Sequence, residues 1–330
     1  MLAHQAGVAE LAASSLKAAL DLDWDDPAAL PHALGVVLGA VGRVEQLAAA
    51  LGGDDPRVAD GLAAARQVQG QDTVVGADGV VQLRQGVAKD RRISIEDPQM
   101  RHGRKTNSHL IDGYKRHVLT DLDTELVPAV GVTAANVAEA EVASQIEADL
   151  DAQGVRLGEL DIDRAYLSSS LVSDRDPDLQ IFCKAFPVRN GPRFAKPAFT
   201  LDFDQGLLTC PNHVTMPFVP GGRVQFPAEV CAACPLRTQC TTSARGRSVQ
   251  IHPDERLLVE LRAAQQTPVG RAKLRERVKV EHTLAHVGRW QGRRARYLGQ
   301  RKNLLDLRRV AVVHNLHVIA RQPSPGRQAA

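Results

Sequence analysis

Residues 155–166 read Val-Arg-Leu-Gly-Glu-Leu-Asp-Ile-Asp-Arg-Ala-Tyr. This stretch predicts a short apolar strand that ends at the carboxylate of Asp163 and passes directly into a helix start. A second buried strand is predicted over residues 179–185, after a helical start at residues 164–172. Together with the strand-like runs upstream, the order is strand, strand, helix, strand, helix, strand, which predicts an α/β fold.

The region upstream of Asp163 supplies the other strands. Residues 92–96 alternate like a strand, and residues 114–120 and 126–132 are two β-rich runs that form a predicted hairpin. Asn136 is the predicted cap of a helix over residues 138–150. Residues 70–90 are rich in Gly, Gln and Val and predict a loop or a short hairpin.

The N-terminal 70 residues have a helical pattern instead. Four apolar side chains are spaced three to five residues apart, as on one face of a helix: Val8, Leu11, Leu16 and Leu20. A second helix is predicted over residues 31–51. A third opens at Asp55 and Pro56, an acidic cap followed by proline at the first helical position.

Composition limits the class of protein. The chain has 330 residues, 44% of them hydrophobic and 24% charged, which suits one large domain or two ordinary ones and excludes a collagen-like, disulfide-dense or wholly disordered chain. The longest apolar run, residues 34–41, is far shorter than the roughly 20 residues that span a bilayer. The N-terminus has no basic segment followed by an apolar one, so we expect no signal peptide and a cytoplasmic protein.

The net charge of +3 conceals an uneven distribution. Residues 271–330 contain fifteen Lys or Arg against three acids, whereas the other 270 residues contain twenty-six basic and thirty-five acidic side chains. A basic C-terminal block predicts a surface for a polyanion. The alternative is an ordinary solvated helical face.

Four of the five cysteines form a cluster in sequence: Cys210, Cys231, Cys234 and Cys240. A C-x2-C pair followed by further thiols is typical of a tetrahedral zinc site, and His213 is a substitute ligand. In a cytoplasmic chain, disulfides are the less common use of such a cluster. The alternative is four small thiols buried in a turn-rich segment, whereas Cys183 lies in a strand and is a predicted core residue.

Two acidic positions are candidate catalytic residues. Asp163 lies where α/β folds place their chemistry, and Asp161 shares its strand face, so a divalent metal is the natural partner for the two carboxylates. The alternative for Asp163 is a helix N-cap. Glu281 is an isolated acid within the basic block, on a predicted helix with Arg277; its alternative is an ion pair with Arg277 or a lysine at helical spacing.

These residues carry a resemblance. Asp163-Arg-Ala-Tyr166 resembles the D-x-G-Y element of DDE transposases from bacterial insertion sequences, and Arg277-x3-Glu281 resembles the R-x3-E part of their third-acid helix. Three further segments match the family: Asp97-Pro-Gln-Met-Arg-His-Gly-Arg-Lys105, Gly113-Tyr-Lys115 and the helix ending His314-Asn-Leu316. The cysteine segment 231–240 is typical of one branch. The similarity covers roughly residues 90–320.

The resemblance implies an RNase H-like fold and metal-dependent DNA strand cleavage and transfer in transposition. Asp163 and Glu281 would be the second and third acids of a D-D-E triad that holds Mg²⁺ or Mn²⁺. Zn²⁺ at the cysteines is predicted from their spacing and not from the resemblance. The implied partner is DNA, at the ends of the element and at the target, contacted by Arg277, Arg289, Arg293, Arg294 and Arg296. A homodimer is left open. We expect no membrane partner and a cytoplasmic, nucleoid-associated protein.

Three positions depart from the family pattern. Ala165 stands where the family has glycine, Leu274 where it has tyrosine, and Gly288 where it has lysine, with Arg289 next to it. The first acid of the triad is expected on an opening strand, and no strand is predicted before the N-terminal helices. We therefore expect that the first strand is missing and that the chain begins after the first catalytic Asp, as a truncated or inactive copy. A truncated element, a frameshifted copy or a misplaced start codon would each produce such a chain. Asp97 ends a strand-like run but falls in the family's basic loop, and is a weak substitute.

The predicted organisation has five parts. Residues 1–70 are a helical spacer, residues 71–186 the RNase H-like α/β core, and residues 187–250 a Cys-rich insertion. Residues 251–320 are the C-terminal helices of the core, and residues 321–330 a tail. The alternative function is a non-catalytic DNA-binding protein derived from a transposase.

Overall fold

The computed structural model describes residues 2–8, 13–51, 55–88, 90–104 and 108–321. The chain divides into two compact units. The first unit is drawn from residues 1–116, 132–137 and 294–306, and the second unit from residues 117–131, 138–293 and 307–330. The predicted positions Leu11, Lys105 and the tail beyond Arg321 lie outside the described residues.

The N-terminal segment is helical, but its first helix is broken. Helices α1 (Leu2–Gln5) and α2 (Leu16–Ala19) are single turns, so the continuous face predicted from Val8 to Leu20 is wrong. The reason is local: the hydroxyl of Ser15 accepts a hydrogen bond from the Ala18 N–H and starts a new helix there.

The next two helices follow the prediction. Helix α3 runs over Ala29–Ala50 and helix α4 over Pro56–Asp72. The carboxylate of Asp55 accepts from the Arg57 N–H at 2.9 Å, which confirms the predicted cap. Within the described residues, α3 is the one helix long and apolar enough to cross a membrane, with a mean hydropathy of 1.4. A single such helix is weak evidence, because core helices of soluble proteins pass the same test.

The first five strands form a hairpin and a three-stranded sheet. The hairpin pairs β1 (Thr73–Val75) with β2 (Val81–Leu83), as predicted for residues 70–90. The sheet has the order β3-β4-β5, with β3 at Arg101–Arg104, β4 at Leu110–Leu119 and β5 at Ala129–Ala134. The predicted hairpin over 114–132 is confirmed by β4 and β5, and its turn closes with a hydrogen bond from Asp121 N–H to the Leu126 carbonyl.

Residues 92–96 do not form the predicted strand. Arg92 makes only an isolated bridge to Arg101. Its guanidinium donates to the carbonyls of Ser94 and Ile95, which folds the segment back on itself before Pro98.

The helix predicted over residues 138–150 begins later and without its predicted cap. A 3-10 turn covers Glu139–Val142, and helix α5 follows at Ala143–Asp151. The N-cap residues are Ala138 and Val142, neither with a side-chain capping bond, and the side-chain amide of Asn136 donates to Asp90 at 2.8 Å. Gly131 allows close packing of this turn, since a Cβ there would lie 2.1 Å from Val142.

The two strands before and after Asp163 pair with each other in parallel. Strand β6 covers Glu159–Ile162 and pairs with β7 at Gln180–Cys183, with the short helix α6 (Ser170–Ser173) between them. The core beneath them is apolar: Leu160, Ile162, Val172, Ile181, Cys183, Ala185, Leu257 and Leu261. This confirms the prediction that Cys183 is a core residue.

Residues 199–251 contain small sheets that the sequence did not predict. Strands β8 (Thr200–Asp202), β9 (Leu207–Thr209) and β10 (Thr215–Pro217) form one sheet in the order β10-β9-β8. Strands β11 (Arg223–Gln225) and β12 (Ser248–Gln250) form another, and helices α7 (Ala228–Ala232) and α8 (Arg237–Cys240) lie between them in sequence. Their shared core is Phe199, Leu208, Val224, Phe226, Val249 and Ile251.

The C-terminal region is helical, as predicted for residues 253–320. Its four helices are α9 (Glu255–Ala264), α10 (Pro268–Glu276), α11 (Val278–Gln291) and α12 (Gln300–Arg321). Helix α9 supplies Leu257 and Leu261 to the core beneath β6 and β7.

Candidate functional site

Asp163 lies immediately after β6, at the carboxyl end of a parallel strand pair. It occupies the N-cap position of the 3-10 turn Arg164–Tyr166, but its side chain makes no capping hydrogen bond. Instead, Asp163 Oδ2 accepts from Nη1 of Arg277 at 3.1 Å, and its side chain remains 53% exposed. The Asp163 carboxylate therefore does not cap the helix, and the alternative interpretation of this residue is wrong.

Arg277, the partner of Asp163, lies at the start of the helix that contains Glu281. Arg277 is the N-cap residue of α11, and Glu281 lies in the first turn of that helix. Residues four apart lie on one helical face about 6 Å apart along the axis, so Asp163 contacts the helix end from which Glu281 projects. Glu281 is exposed, and the described residues include no ion pair to it; Arg277, its expected partner in the alternative interpretation, pairs with Asp163.

Asp161 has a cationic side chain as its partner. Burial raises the pKa of Asp161, and the ammonium of Lys273, 3.8 Å away, opposes that rise. The same ammonium lies 2.7 Å from Glu159 and 3.0 Å from Glu276. The divalent metal expected between Asp161 and Asp163 is therefore unnecessary for Asp161, because a lysine compensates its charge.

Asp97 is a structural residue of the first unit. It is 3% exposed and accepts hydrogen bonds from the Tyr114 hydroxyl at 2.6 Å and from the backbone N–H of Gly299 at 2.9 Å. Burial alone would raise the pKa of Asp97, but these bonds and that from Gln99 N–H outweigh it and lower the pKa. A carboxylate whose oxygens are occupied in this way is a poor metal ligand.

The predicted triad is incomplete in the part of the chain that is described. No group of three or more His, Cys, Asp or Glu side chains there has the spacing of a metal site. Asp163 and Glu281 thus have no third carboxylate beside them among these residues.

A cavity of about 710 Å³ in the second unit begins next to Asp163. Arg164 and Lys184 line it together with Phe186, whose side chain is 56% exposed and lies under the Arg164 guanidinium at 5.1 Å. Sequence reasoning missed these residues. The signal was present, because Lys184 and Phe186 directly follow the buried strand β7 and therefore emerge at the same sheet edge as Asp163.

The predicted DNA-contacting arginines are exposed apart from Arg277, which pairs with Asp163. Arg289 lies on the last turn of α11, and Arg293, Arg294 and Arg296 lie between α11 and α12. Such side chains can contact phosphates but do not read bases by themselves.

The four clustered cysteines line one small cavity beside the core of the 199–251 sheets. All four are free thiols, and burial raises the pKa of Cys240, an effect to which the other three thiols add. Asn212 lines this cavity, whereas the proposed substitute ligand His213 is not among its lining residues.

Two family models match the chain, and both describe a transposase DDE domain. One covers residues 84–178, which include Asp163, and the other covers residues 209–320, which include Glu281 and the four cysteines. The chain belongs to the DDE transposases. The mixed α/β architecture around Asp163 is consistent with the RNase H-like domain of this family. No curated protein and no solved structure matched this transposase.

Proposed function

We propose that the second unit carries the DNA strand cleavage and transfer site of an insertion-sequence transposase, with Asp163 and Glu281 as its metal-binding carboxylates. The contact between Asp163 Oδ2 and Arg277 Nη1 supports this most directly, because it joins the end of β6 to the first turn of α11. Two segments 114 residues apart in sequence meet where each carries one acid of the family pattern.

The donor set fits a hard divalent cation. Carboxylate oxygens are the ligands that Mg²⁺ and Mn²⁺ prefer, and both acids are solvent-accessible. When bound, such ions supply activation of a water or a 3′-hydroxyl for attack on a phosphodiester. In this chain, Asp163 and Glu281 would hold the cation, and Arg277 holds the Asp163 carboxylate in position.

DNA would lie along the basic surfaces of the chain. Arg164 and Lys184, which line the cavity of the second unit, would contact backbone phosphates, and the exposed ring of Phe186 would offer a face for a base. The arginines at 289, 293, 294 and 296 would add phosphate contacts. Assembly as a homodimer, in the cytoplasm and at the nucleoid, is part of this proposal.

We further propose that this chain by itself has little or no cleavage activity. A two-metal site requires three carboxylates, and the described residues include no group of three His, Cys, Asp or Glu side chains that could hold a metal ion. The same observation favours a second candidate function, a non-catalytic DNA-binding protein derived from a transposase.

One experiment separates these candidates. The full chain, the double variant Asp163→Ala/Glu281→Ala and the matched control Asp151→Ala/Glu260→Ala are assayed for DNA binding at several salt concentrations, for Mn²⁺ binding by calorimetry, and for nicking of a plasmid that carries the DNA flanking the gene. We expect all three proteins to bind DNA in a salt-dependent manner. Mn²⁺ binding, and any nicking, should be lost only in the Asp163→Ala/Glu281→Ala variant.

The other outcomes are equally decisive. Mn²⁺ binding that is equal in all three proteins, without nicking, would favour the non-catalytic candidate. Full nicking by the Asp163→Ala/Glu281→Ala variant would refute the assignment of both acids, and failure of all three to bind DNA would refute both candidate functions.

A further inference from the structure

Four thiols from separate chain segments converge on one cavity in the 199–251 region. Cys210 follows β9, Cys231 lies in α7, Cys234 lies in the next turn and Cys240 ends α8. All four line the same cavity, of about 30 Å³, and none is joined in a disulfide. Because β9 and the α7–α8 segment approach it from different parts of the chain, the convergence is a property of the fold.

Burial in the apolar core accounts only in part for these thiols, because Cys210, Cys231 and Cys240 pack against that core and yet remain partly exposed. The buried core thiol of the chain, Cys183, is 1% exposed, whereas each of the four remains partly accessible. Free structural cysteines are among the most buried side chains, so four half-buried thiols around one cavity need another explanation.

Hydrogen-bond donors and positively charged side chains lie around the cavity. The backbone N–H of Arg247 donates to Cys231 Sγ at 3.4 Å, and the side chains of Arg237 and Arg247 both line the cavity. Nε of Arg247 is buried and has no hydrogen-bond partner among the described residues. A donor left without an acceptor beside four thiols is what a thiolate cluster would satisfy.

The local chain geometry can close around an ion. Cys231 and Cys234 form a C-x2-C turn in which the Cys234 N–H donates to the Cys231 carbonyl, and both flanking helices are one turn long. The thiols are not already at the spacing of a metal site, so the sulfurs must move inward to reach the metal–sulfur distance of about 2.3 Å. Short helices and turns allow that movement.

We propose that Cys210, Cys231, Cys234 and Cys240 bind one Zn²⁺ in a tetrahedral site that fastens the β8–β10 sheet to the α7–α8 segment. Four S–H bonds break and release their protons to solvent as four Zn–S bonds form, with no change in oxidation state. The resulting site carries two negative charges, which Arg237 and Arg247 offset. The metal is structural, because four protein ligands leave no open position for a substrate.

The test begins with the wild-type chain, purified under reducing conditions. Its metals are measured by plasma mass spectrometry, and its accessible thiols are titrated before and after chelation. The proposal predicts about one zinc per chain, thiols that react only after the zinc is removed, and the visible bands of tetrahedral cobalt thiolate after Co²⁺ replacement. A folded wild-type chain without zinc, one that holds iron instead, or one whose mass shows disulfides would overturn it.

Variants assign the ligands. Cys231→Ser and Cys240→Ala should lose the zinc, Cys240→His should retain it, and the control Cys183→Ala should retain it in full. Proteolysis should then open residues 205–245 in the zinc-free variants alone. Zinc retained by Cys231→Ser and Cys240→Ala would refute the ligand set.

Discussion

Substitution of Glu255 is the most quantitative test of the packing in the second unit. Glu255 is buried at the start of α9, and its carboxylate lies 2.5 Å from Lys196 Nζ and 2.7 Å from Arg262 Nη2. It also accepts from the His252 N–H at 2.9 Å. Glu255→Gln keeps the shape of the side chain and removes the charge, so two cations lose their shared anion.

The magnitude follows from burial. Removing one partner of a buried ion pair costs about 3–5 kcal/mol, and we expect about 3 kcal/mol here because the Lys196 and Arg262 side chains keep 17% and 21% of their exposure. The control is Glu260→Gln, an exposed position on the same helix, which should change stability by less than about 0.5 kcal/mol.

The assay is urea unfolding followed by circular dichroism at several pH values. Burial alone would raise the pKa of Glu255, but hydrogen bonds from Lys196, the His252 N–H and Arg262 outweigh it, so the pKa lies below the ordinary 4.5. The stabilisation by Glu255 is therefore complete above pH 4.5 and declines as the pH falls below it. A Glu255→Gln cost below about 1 kcal/mol at neutral pH, or a cost that does not shrink in acid, would contradict this role of the Glu255 carboxylate.

Two further predictions concern other polar contacts. His286 Nε2 accepts a hydrogen bond from Trp290 Nε1–H, and His286 Nδ1 lies 2.7 Å from Nδ1 of His314. Burial, followed by the neighbouring positive charges, lowers the pKa of His286. The free energy of unfolding, measured by thermal melts between pH 5 and 8, should therefore fall as the pH drops below 6.5, and it should fall less in His286→Gln. Tyr114→Phe removes the hydroxyl that donates to buried Asp97 and should cost about 2 kcal/mol in a urea titration, whereas Tyr297→Phe, at an exposed ring, should be near neutral; equal effects would contradict the role given to the Asp97 contact.

Local sequence signals correctly predicted the elements that depend on only a few neighbouring residues. The Asp55–Pro56 helix start, the hairpin around 121–126 and the parallel pair β6–β7 depend on capping, turn and apolar patterns, and all three are present. The 92–96 strand was wrong because its alternation was overridden by Arg92, whose guanidinium bonds to backbone carbonyls nearby. The alternation of apolar and polar residues carries no information about a side-chain contact of that kind.

In the candidate site, too, local features could be predicted from the sequence, whereas contacts between distant residues could not. The position of Asp163 at a strand end could be predicted, but its pairing with Arg277 joins residues far apart in sequence. Lys273, the partner of Asp161, is equally distant, which is why a metal was expected in its place. The small sheets of residues 199–251 were missed because strands of three residues are too short to show a period.

Backbone cleavage by Fe²⁺ tests whether Asp163 and Glu281 belong to one cation site. Fe²⁺ replaces Mg²⁺ in the full chain, ascorbate and peroxide generate radicals at the bound ion, and mass spectrometry maps the cut positions. If the two acids share one ion, two clusters of cuts are expected, near Asp163 and near Glu281, and both should disappear on addition of excess Mg²⁺ and in Asp163→Ala. Cuts near only one of the two acids, or cuts near both that survive in Asp163→Ala, would contradict a shared cation site.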